Sequence, residues 1–125
     1  MSFIPTIVIF LSVLTVLVLV HELGHYFCAR ILGIRVEELG LGFPPRLKAI
    51  RSKGIIYSLN YLPLGGFVRL KGESDETIQD GFASRSILQR FLVIFSGPAM
   101  NFVLAIILFS FLATVTERIQ SAEIV

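Results

Sequence analysis

Two long runs without a charged side chain constrain the fold of this chain more than any other feature. Residues 4–20 form the first run and residues 91–115 the second, so the runs contain 17 and 25 residues. A helix that crosses a membrane needs about 20 predominantly apolar residues. Only 16% of the chain is charged, whereas soluble domains average about 25%. The runs therefore predict a mainly α-helical membrane protein with two transmembrane helices; two buried helices of a soluble core are the alternative.

The distribution of positive charge predicts the orientation of these helices. Ten of the eleven lysines and arginines lie within residues 30–90, and only Arg118 lies outside that segment. Because positively charged loops stay in the cytoplasm, residues 30–90 are predicted to be cytoplasmic and both termini to lie across the membrane. No basic region precedes the first run, so we expect it to be retained and not removed as a signal peptide. The membrane topology and contact with membrane lipid account for the positive charge of residues 30–90, so we expect no nucleic-acid partner.

The segment between the two runs does not have the pattern of a helix, because glycines and prolines interrupt residues 36–72. Short runs at 36–41, 55–62 and 67–70 predict strands, and residues 64–67 predict a tight turn between the last two. One interpretation is a small antiparallel sheet that only connects the helices. The other is a hairpin that re-enters the membrane, since its side chains are unusually apolar for a loop: Tyr57, Leu59, Tyr61, Leu62, Leu64 and Phe67.

The predicted layout treats residues 1–125 as part of a single domain. Residues 4–34 form the first membrane helix and 36–72 the β-rich segment, residues 73–83 form a polar loop, and 84–116 form an amphipathic lead-in and the second membrane helix.

The residues with the clearest chemistry form the sequence His21-Glu22-Leu23-Gly24-His25, an HExxH pattern at the end of the first run. Residues i and i+4 share one helical face, so both imidazoles can reach one zinc ion. Glu22 lies one residue on, close enough to act as a base. Three ionisable groups at the end of an apolar helix are costly without a partner or a metal. The pattern predicts Zn²⁺ bound by His21 and His25 with Glu22 as catalytic base; chance or packing is the alternative.

The second run contains a polar and irregular stretch at residues 96–101. Pro98 removes a backbone donor and is predicted to kink or loosen the helix. Asn101 is a polar group in an apolar helix and should face a partner helix or a cavity. Asn101 therefore either joins the helices or faces the zinc site and hydrogen-bonds a substrate backbone. Gly97 and Ala99 permit close helix approach in both cases.

Four motifs in this order resemble the site-two protease family of intramembrane zinc metalloproteases, with the bacterial regulator-of-sigma-E proteases as the most similar subgroup. The resemblance extends from about residue 15 to residue 112. HExxH alone is moderately specific, whereas the four together are highly specific. They are His21-Glu22-Leu23-Gly24-His25, Leu41-Gly42-Phe43, Leu62-Pro63-Leu64-Gly65-Gly66-Phe67-Val68 and Gly97-Pro98-Ala99-Met100-Asn101-Phe102.

This resemblance implies a zinc-dependent endopeptidase of the bacterial inner membrane. Its substrates would be membrane-anchored proteins with a transmembrane segment, such as anti-sigma factors. His21 and His25 would bind zinc, and Glu22 would be the catalytic base. Residues 55–70 would form a re-entrant hairpin that presents the substrate as a strand. Gly65, Gly66 and Asn101 are the predicted substrate-binding residues.

The chain also departs from the pattern of that family. Members supply a third zinc ligand, an aspartate in an LDG-type motif on a later membrane helix, and a PDZ-like domain after the second span. Neither occurs in these 125 residues, and Asp75 and Asp80 in the predicted polar loop are poor substitutes. We therefore expect an N-terminal portion that is catalytically incomplete by itself. The alternative is a non-catalytic membrane module that binds partner helices.

Overall fold

The computed structural model describes residues 2–124, which form a helix, two strands and a second helix. Helix α1 spans Phe3–Ile31, strand β1 Val36–Ser52, strand β2 Ile55–Leu70 and helix α2 Ile87–Glu123. Both helices are long and apolar enough to cross a membrane, with mean hydropathies of 2.9 and 2.3 over their most apolar windows. The two long apolar helices and the small antiparallel sheet that the sequence predicts are confirmed.

Helix α1 ends at Ile31, three residues before the predicted end at 34. The chain leaves the helix through Gly33, whose φ of +73° is a left-handed conformation that favours glycine. The Gly33 N–H donates to the Arg30 carbonyl (3.2 Å) and the Ile34 N–H to the Ala29 carbonyl (2.9 Å). This pair of bonds is the Schellman arrangement that satisfies the last carbonyls of a helix. The glycine therefore terminates α1 although apolar residues continue beyond it.

Helix α2 begins later and ends later than the predicted 84–116. The Ser86 hydroxyl accepts a hydrogen bond from the Gln89 N–H (3.3 Å) and caps the helix, so residues 84–86 lie outside it. The helix continues through Pro98 and through a polar stretch that ends at Glu123. In that stretch, three hydroxyl groups donate to the carbonyl four residues earlier, which keeps these side chains compatible with a helix; they belong to Thr114, Thr116 and Ser121.

Strand β1 is 17 residues long and continues well past the predicted segment 36–41. The first half of β1 pairs on both sides, because Leu41 lies opposite Leu59 and also opposite Gly66. Strand β2 therefore reverses direction between Leu59 and Gly66. The predicted turn at 64–67 falls in this reversal, although the backbone there is extended and belongs to one strand. The second half of β1 pairs with the start of β2 across the turn at Lys53 and Gly54.

A small apolar core joins the sheet to the ends of both helices. Its buried residues come from all four elements and from the turn after α1: Ala29, Ile34, Val36, Ile55, Leu70 and Val93. Most other large apolar side chains of the helices are exposed; Phe109 and Phe111, for example, are 72% and 68% accessible. The core therefore fixes how the helix ends meet the sheet, and the apolar helix surfaces remain for an apolar environment.

The sheet also buries a carboxylate that the sequence did not single out. Glu38 is only 2% exposed and accepts hydrogen bonds at Oε1 from Arg46 (2.9 Å) and from the Ser58 hydroxyl (2.7 Å). Its Oε2 forms an ion pair with Arg69 Nη1 at 3.0 Å, in a geometry outside that of a hydrogen bond. Because Arg46 follows Glu38 in β1 and the other two partners lie in β2, this network ties the two strands together.

Turns replace regular structure between β2 and α2, in the region of the predicted polar loop 73–83. The Phe82 N–H donates to the Lys71 carbonyl (2.7 Å) and closes the loop at its base. Asp75 accepts hydrogen bonds from the N–H (2.9 Å) and the hydroxyl (2.6 Å) of Thr77. These bonds favour the charged carboxylate and hold the pKa of Asp75 below its ordinary value. The aspartate therefore serves the loop's own conformation.

Candidate metal centre

Helix α1 brings the side chains of the HExxH sequence together. The imidazole centroids of His21 and His25 lie 4.7 Å apart, with the rings nearly perpendicular at 79°. The possible ligand atoms of His21, Glu22 and His25 all lie within 4.8 Å of one another, and the three residues are half-buried. The i, i+4 spacing on one helical face produces this arrangement without help from the rest of the chain.

Helix α2 fixes the orientation of one imidazole. Nδ1 of His25 lies 2.7 Å from the carbonyl oxygen of Val93. A carbonyl can only accept, so Nδ1 of the neutral ring carries the proton and Nε2 keeps its lone pair. A backbone or carboxylate partner of this kind sets the tautomer and orientation of metal-binding histidines. The hydrogen bond therefore prepares Nε2 of His25 to bind a cation.

Two glycines allow the helices to approach closely at this point. A Cβ on Gly97 of α2 would lie 2.5 Å from Nε2 of His25 and 2.7 Å from Nε2 of His21. A Cβ on Gly24 of α1 would collide with the carbonyl oxygen of Ser96. Both glycines are buried. The two Nε2 atoms thus converge on a surface of α2 that only a residue without a side chain can provide.

Strand β2 and helix α2 complete an open cavity of about 360 Å³ beside the histidines. His21, Glu22, Gly65, Gly66 and Asn101 all line this cavity. A Cβ on Gly66 would lie 3.2 Å from Cγ of Glu22, so the glycine lets the strand approach the carboxylate. Within residues 2–124, the buried Oδ1 of Asn101 accepts no hydrogen bond. The structure therefore brings five of the six predicted site residues around one cavity; His25, the sixth, is in the histidine cluster but does not line this cavity.

Glu22 also lines a second cavity. This cavity has a volume of about 310 Å³ and lies between α1 and the face of the sheet. Its wall is mainly apolar and includes Leu39, Ala49, Tyr57 and Leu59. Glu22 therefore lines two cavities, of which the one that His21 also lines is the more polar.

The donor chemistry of the cluster fits Zn²⁺. Zinc prefers imidazole nitrogen, thiolate and carboxylate ligands and takes three protein ligands in catalytic sites. Two imidazoles converge on one point, and the tautomer of His25 is set for binding. In the described part of the chain, the cluster contains two histidines and Glu22 and does not include Asp75 or Asp80.

Two contributions to this site were not predicted from the sequence. The Val93 carbonyl is a backbone group, and no residue type signals that it will meet an imidazole. Gly24 carries a weak signal, because a small residue inside the HExxH sequence is compatible with close helix packing. For Gly97 the sequence predicted close approach of the helices, and its contact with both imidazoles follows from the packing of α1 against α2.

Several known proteins are similar in sequence to this chain over most of its length. A protein of Fusobacterium nucleatum is 35% identical over 116 residues, which cover 92% of this chain and 34% of that protein. A Helicobacter pylori protein is 38% identical over 112 residues (85% and 32%). A Clostridium perfringens protein is 42% identical over 108 residues (86% and 32%). Each carries the name "Putative zinc metalloprotease". The chain spans about a third of the length of these relatives.

A family model gives the same assignment as the relatives. The model of peptidase family M50 matches residues 9–122, which include the HExxH sequence, both strands and nearly all of α2. The four motifs in the sequence resemble the same family. This chain belongs to peptidase family M50, the site-two protease family.

Proposed function

We propose that this chain forms the zinc-binding part of a membrane-inserted endopeptidase. The observation that carries the proposal is the convergence of two imidazole Nε2 atoms on Gly97, with Glu22 in the same cluster. The hydrogen bond from His25 to the Val93 carbonyl supports it, because that bond leaves Nε2 ready to bind a metal. The names of the relatives, all zinc metalloproteases, agree with it.

In this proposal, Zn²⁺ is the cofactor and His21 and His25 are two of its ligands. When bound, zinc supplies a Lewis acid that polarises a carbonyl group and makes water more acidic. Two imidazoles are one protein ligand short of a catalytic zinc site. These 125 residues by themselves are therefore expected to bind zinc weakly and to show no peptidase activity.

Glu22 is the proposed general base. Its carboxylate is half-buried, reaches both cavities and lies within 4.8 Å of the imidazole ligand atoms. The carboxylate takes a proton from water while the water oxygen bonds to the peptide carbonyl carbon. It then gives that proton to the leaving nitrogen as the C–N bond breaks.

The substrate is proposed to bind in the cavity between β2 and α2. The buried Oδ1 of Asn101 lacks a partner within residues 2–124, and an unsatisfied acceptor of this kind costs about 1–3 kcal/mol. A peptide N–H of the substrate would satisfy it. Gly65 and Gly66 line the same cavity without side chains. Backbone pairing with a strand is a common way to hold an extended peptide.

Both helices are proposed to span the bacterial inner membrane. Their length and hydropathy support this, as do the exposed apolar side chains along them. Residues 30–90 would be cytoplasmic and both termini would lie outside. The residue 55–70 segment would re-enter the membrane, where irregular backbone is tolerated if it lines a wet cavity. The partners are then membrane lipid and membrane-anchored protein substrates, such as anti-sigma factors, and not nucleic acid.

The incomplete ligand set also favours a second candidate, a non-catalytic module that binds partner helices. Within residues 2–124, the metal cluster offers two imidazoles and the carboxylate that is proposed to be the base. A module of this kind would keep the helix pair and the sheet without hydrolysing peptides. The two candidates differ in whether Glu22 is needed once a third ligand is supplied.

A chimera separates the two candidates. These residues would replace the matching segment of the Clostridium perfringens relative, which is 42% identical over 108 residues. Cells that lack their own site-two protease would express it with a membrane-spanning reporter. The Glu22→Gln change should lower the cleavage rate by roughly 10²–10⁴-fold, as expected for loss of a general base. Zinc content should stay unchanged, because Glu22 is not a proposed ligand.

The control for this chimera is Glu117→Gln, which removes an exposed carboxylate of α2 and should cleave at the parent rate. Cleavage at the parent rate by Glu22→Gln would exclude Glu22 as the base. A chimera that fails to cleave while the Clostridium perfringens protein does would favour the non-catalytic module. Glu22-dependent cleavage by the 125-residue chain alone would show that its ligand set is complete.

Labelling tests the proposed orientation. Cys28 is the only cysteine of the chain, so Cys28→Ala gives a background without thiols. Ser52→Cys, at the exposed end of β1, should then react with a membrane-permeant maleimide and not with an impermeant one in intact cells. An added cysteine next to Ser2 should show the opposite result. Reaction of Ser52→Cys with the impermeant reagent would reverse the topology.

A further inference from the structure

A polar cavity of about 220 Å³ lies where α1 meets the sheet, and it shares no residue with the zinc cluster. Three positively charged side chains line it, Arg30, Arg35 and Lys53. They come from the last turn of α1, the residue just before β1 and the turn between β1 and β2. The fold therefore gathers three cations from three separate places in the sequence.

Among the described residues 2–124, the side chains that line this cavity include no acidic one. Glu37, the nearest along β1, lines a different cavity, and Glu38 pairs with Arg46 and Arg69. Within residues 2–124, the ion pairs up to 4.0 Å involve Glu38 and none of the three cations of the cavity. Like charges that share a cavity repel one another, and an anion between them would remove that cost.

All three cationic residues are exposed, and both guanidinium groups also contact their surroundings. Arg30 lies over the ring of Tyr26, with its Cζ 5.8 Å from the ring centroid. Nη2 of Arg35 lies 3.4 Å from where a Cβ on Gly54 would be, so the side chain packs on the hairpin turn. A guanidinium offers a planar pair of donors that matches two oxygens of a phosphate. Two guanidinium forks and one ammonium at one cavity suit a tetrahedral oxyanion better than a single carboxylate.

We propose that this cavity binds a phosphate group, supplied by the headgroup of an anionic phospholipid. Arg30 lies in the last turn of the apolar helix α1, where a spanning helix would reach the membrane surface. Anionic lipids are concentrated in the cytoplasmic leaflet and attract basic segments there. This site goes beyond the proposed peptidase function. Only the lipid source of the phosphate depends on the proposed membrane insertion.

Native mass spectrometry of the 125-residue chain in detergent micelles tests the site. Phosphatidylglycerol and phosphatidylcholine are titrated in parallel, and inorganic phosphate is titrated by ³¹P NMR. Phosphatidylglycerol should bind at least roughly ten-fold more tightly than phosphatidylcholine. Arg35→Gln/Lys53→Gln should weaken phosphatidylglycerol binding about 25-fold, because each cation near an anionic surface contributes about five-fold. Inorganic phosphate should bind more weakly than the lipid.

The charge-matched control is Lys48→Gln/Arg51→Gln, which removes two cations of β1 that do not line the cavity. It should weaken phosphatidylglycerol binding by no more than a few-fold. Arg35→Lys keeps the charge but loses the planar fork, so it should weaken phosphatidylglycerol binding less than Arg35→Gln/Lys53→Gln does but measurably; circular dichroism checks the helices of every variant. Equal losses in both double variants, or equal binding of the two lipids, would overturn the site. Inorganic phosphate binding as tightly as the lipid would overturn the lipid source.

Discussion

Polar groups in the sheet and between the two helices have different surroundings. In the sheet, the Glu38 carboxylate is almost fully buried, and Arg46, Arg69 and Ser58 surround it. Between the helices, the Nε2 atoms of His21 and His25 converge on a glycine and not on a partner side chain. The polar groups of the sheet are thus directed at one another, whereas the two Nε2 atoms of the helix pair are directed at a backbone position without a side chain.

This difference separates groups that hold the fold from groups that bind something. A buried polar group with all its partners stabilises the structure or costs little, whereas an open one costs free energy until a ligand arrives. Asn101 has such an open group, since its buried Oδ1 has no hydrogen-bond partner within residues 2–124. Changes in the sheet should therefore alter stability, and changes between the helices should alter binding.

The largest expected effect is on zinc binding, from Gly97→Ala. The added methyl group would overlap both imidazoles, because its position lies 2.5 Å and 2.7 Å from their Nε2 atoms. Displacing groups that orient metal ligands typically costs about 10–100-fold in metal affinity, and we expect the upper end because both ligands move. Competition with a fluorescent zinc chelator, on the detergent-solubilised chimera, measures the change.

Ser110→Ala is the matched control, since it alters a small residue on an exposed part of the same helix. It should leave zinc affinity unchanged. If Gly97→Ala bound zinc as tightly as the parent protein, the imidazoles would not bind the metal against this face of α2. The two Nε2 atoms would then no longer support the inference that open polar groups bind ligands while paired ones stabilise the fold.

The second effect is on stability, from Glu38→Ala in the sheet. The change removes two arginine partners and one hydroxyl partner of a carboxylate that is only 2% exposed. Hydrogen bonds to charged groups contribute about 1.5–3 kcal/mol each, but Arg46 and Arg69 are half-exposed and regain water. We therefore expect a loss of roughly 2 kcal/mol in the free energy of unfolding.

Glu37→Ala provides the comparison, because it removes the neighbouring, exposed carboxylate of the same strand. Its free energy of unfolding in detergent should change by less than about 0.5 kcal/mol. Zinc affinity per folded molecule should be unchanged in both variants. Equal stability of the Glu38 and Glu37 variants would show that the paired network contributes nothing to the sheet.

The helices and the histidine cluster could be predicted from the sequence, whereas part of the sheet could not. The helices and the histidine cluster depend on local patterns, namely uncharged runs and an i, i+4 spacing. The sheet depends on pairing between distant residues, so residues 43–52 of β1 were not predicted to be a strand. That stretch contains two prolines and three basic residues and shows no apolar alternation.

The contacts across the helix interface also could not be predicted from the sequence. The Val93 carbonyl meets His25 only because two glycines let α1 and α2 approach, and the depth of that approach is a property of packing. Nothing in the sequence distinguishes Glu38 from an exposed glutamate, because its three partners are set by the register of β1 and β2. Local spacing thus predicts which residues could bind a metal, and tertiary contacts determine which groups hold them in place.

The smallest effect compares two asparagines. Asn60 in β2 is 6% exposed, and its Nδ2 donates to the carbonyls of Leu41 (3.3 Å) and Gly42 (3.2 Å). Asn101 has a buried Oδ1 that accepts nothing within residues 2–124. Asn101→Leu should therefore leave the free energy of unfolding unchanged or raise it by about 1 kcal/mol, because an unsatisfied acceptor is removed. Asn60→Leu should lower it by about 1–2 kcal/mol, since two carbonyls lose their donor.

Activity should change in the opposite direction from stability. In the chimera, Asn101→Leu should lower reporter cleavage by about ten-fold, the equivalent of one hydrogen bond of roughly 1.4 kcal/mol to the substrate backbone. Asn60→Leu should lower the amount of folded protein, with cleavage per folded molecule maintained. If Asn101→Leu destabilised the protein as much as Asn60→Leu and cleaved normally, Asn101 would join the helices and would not bind substrate. An open polar group would then be no guide to function in this fold.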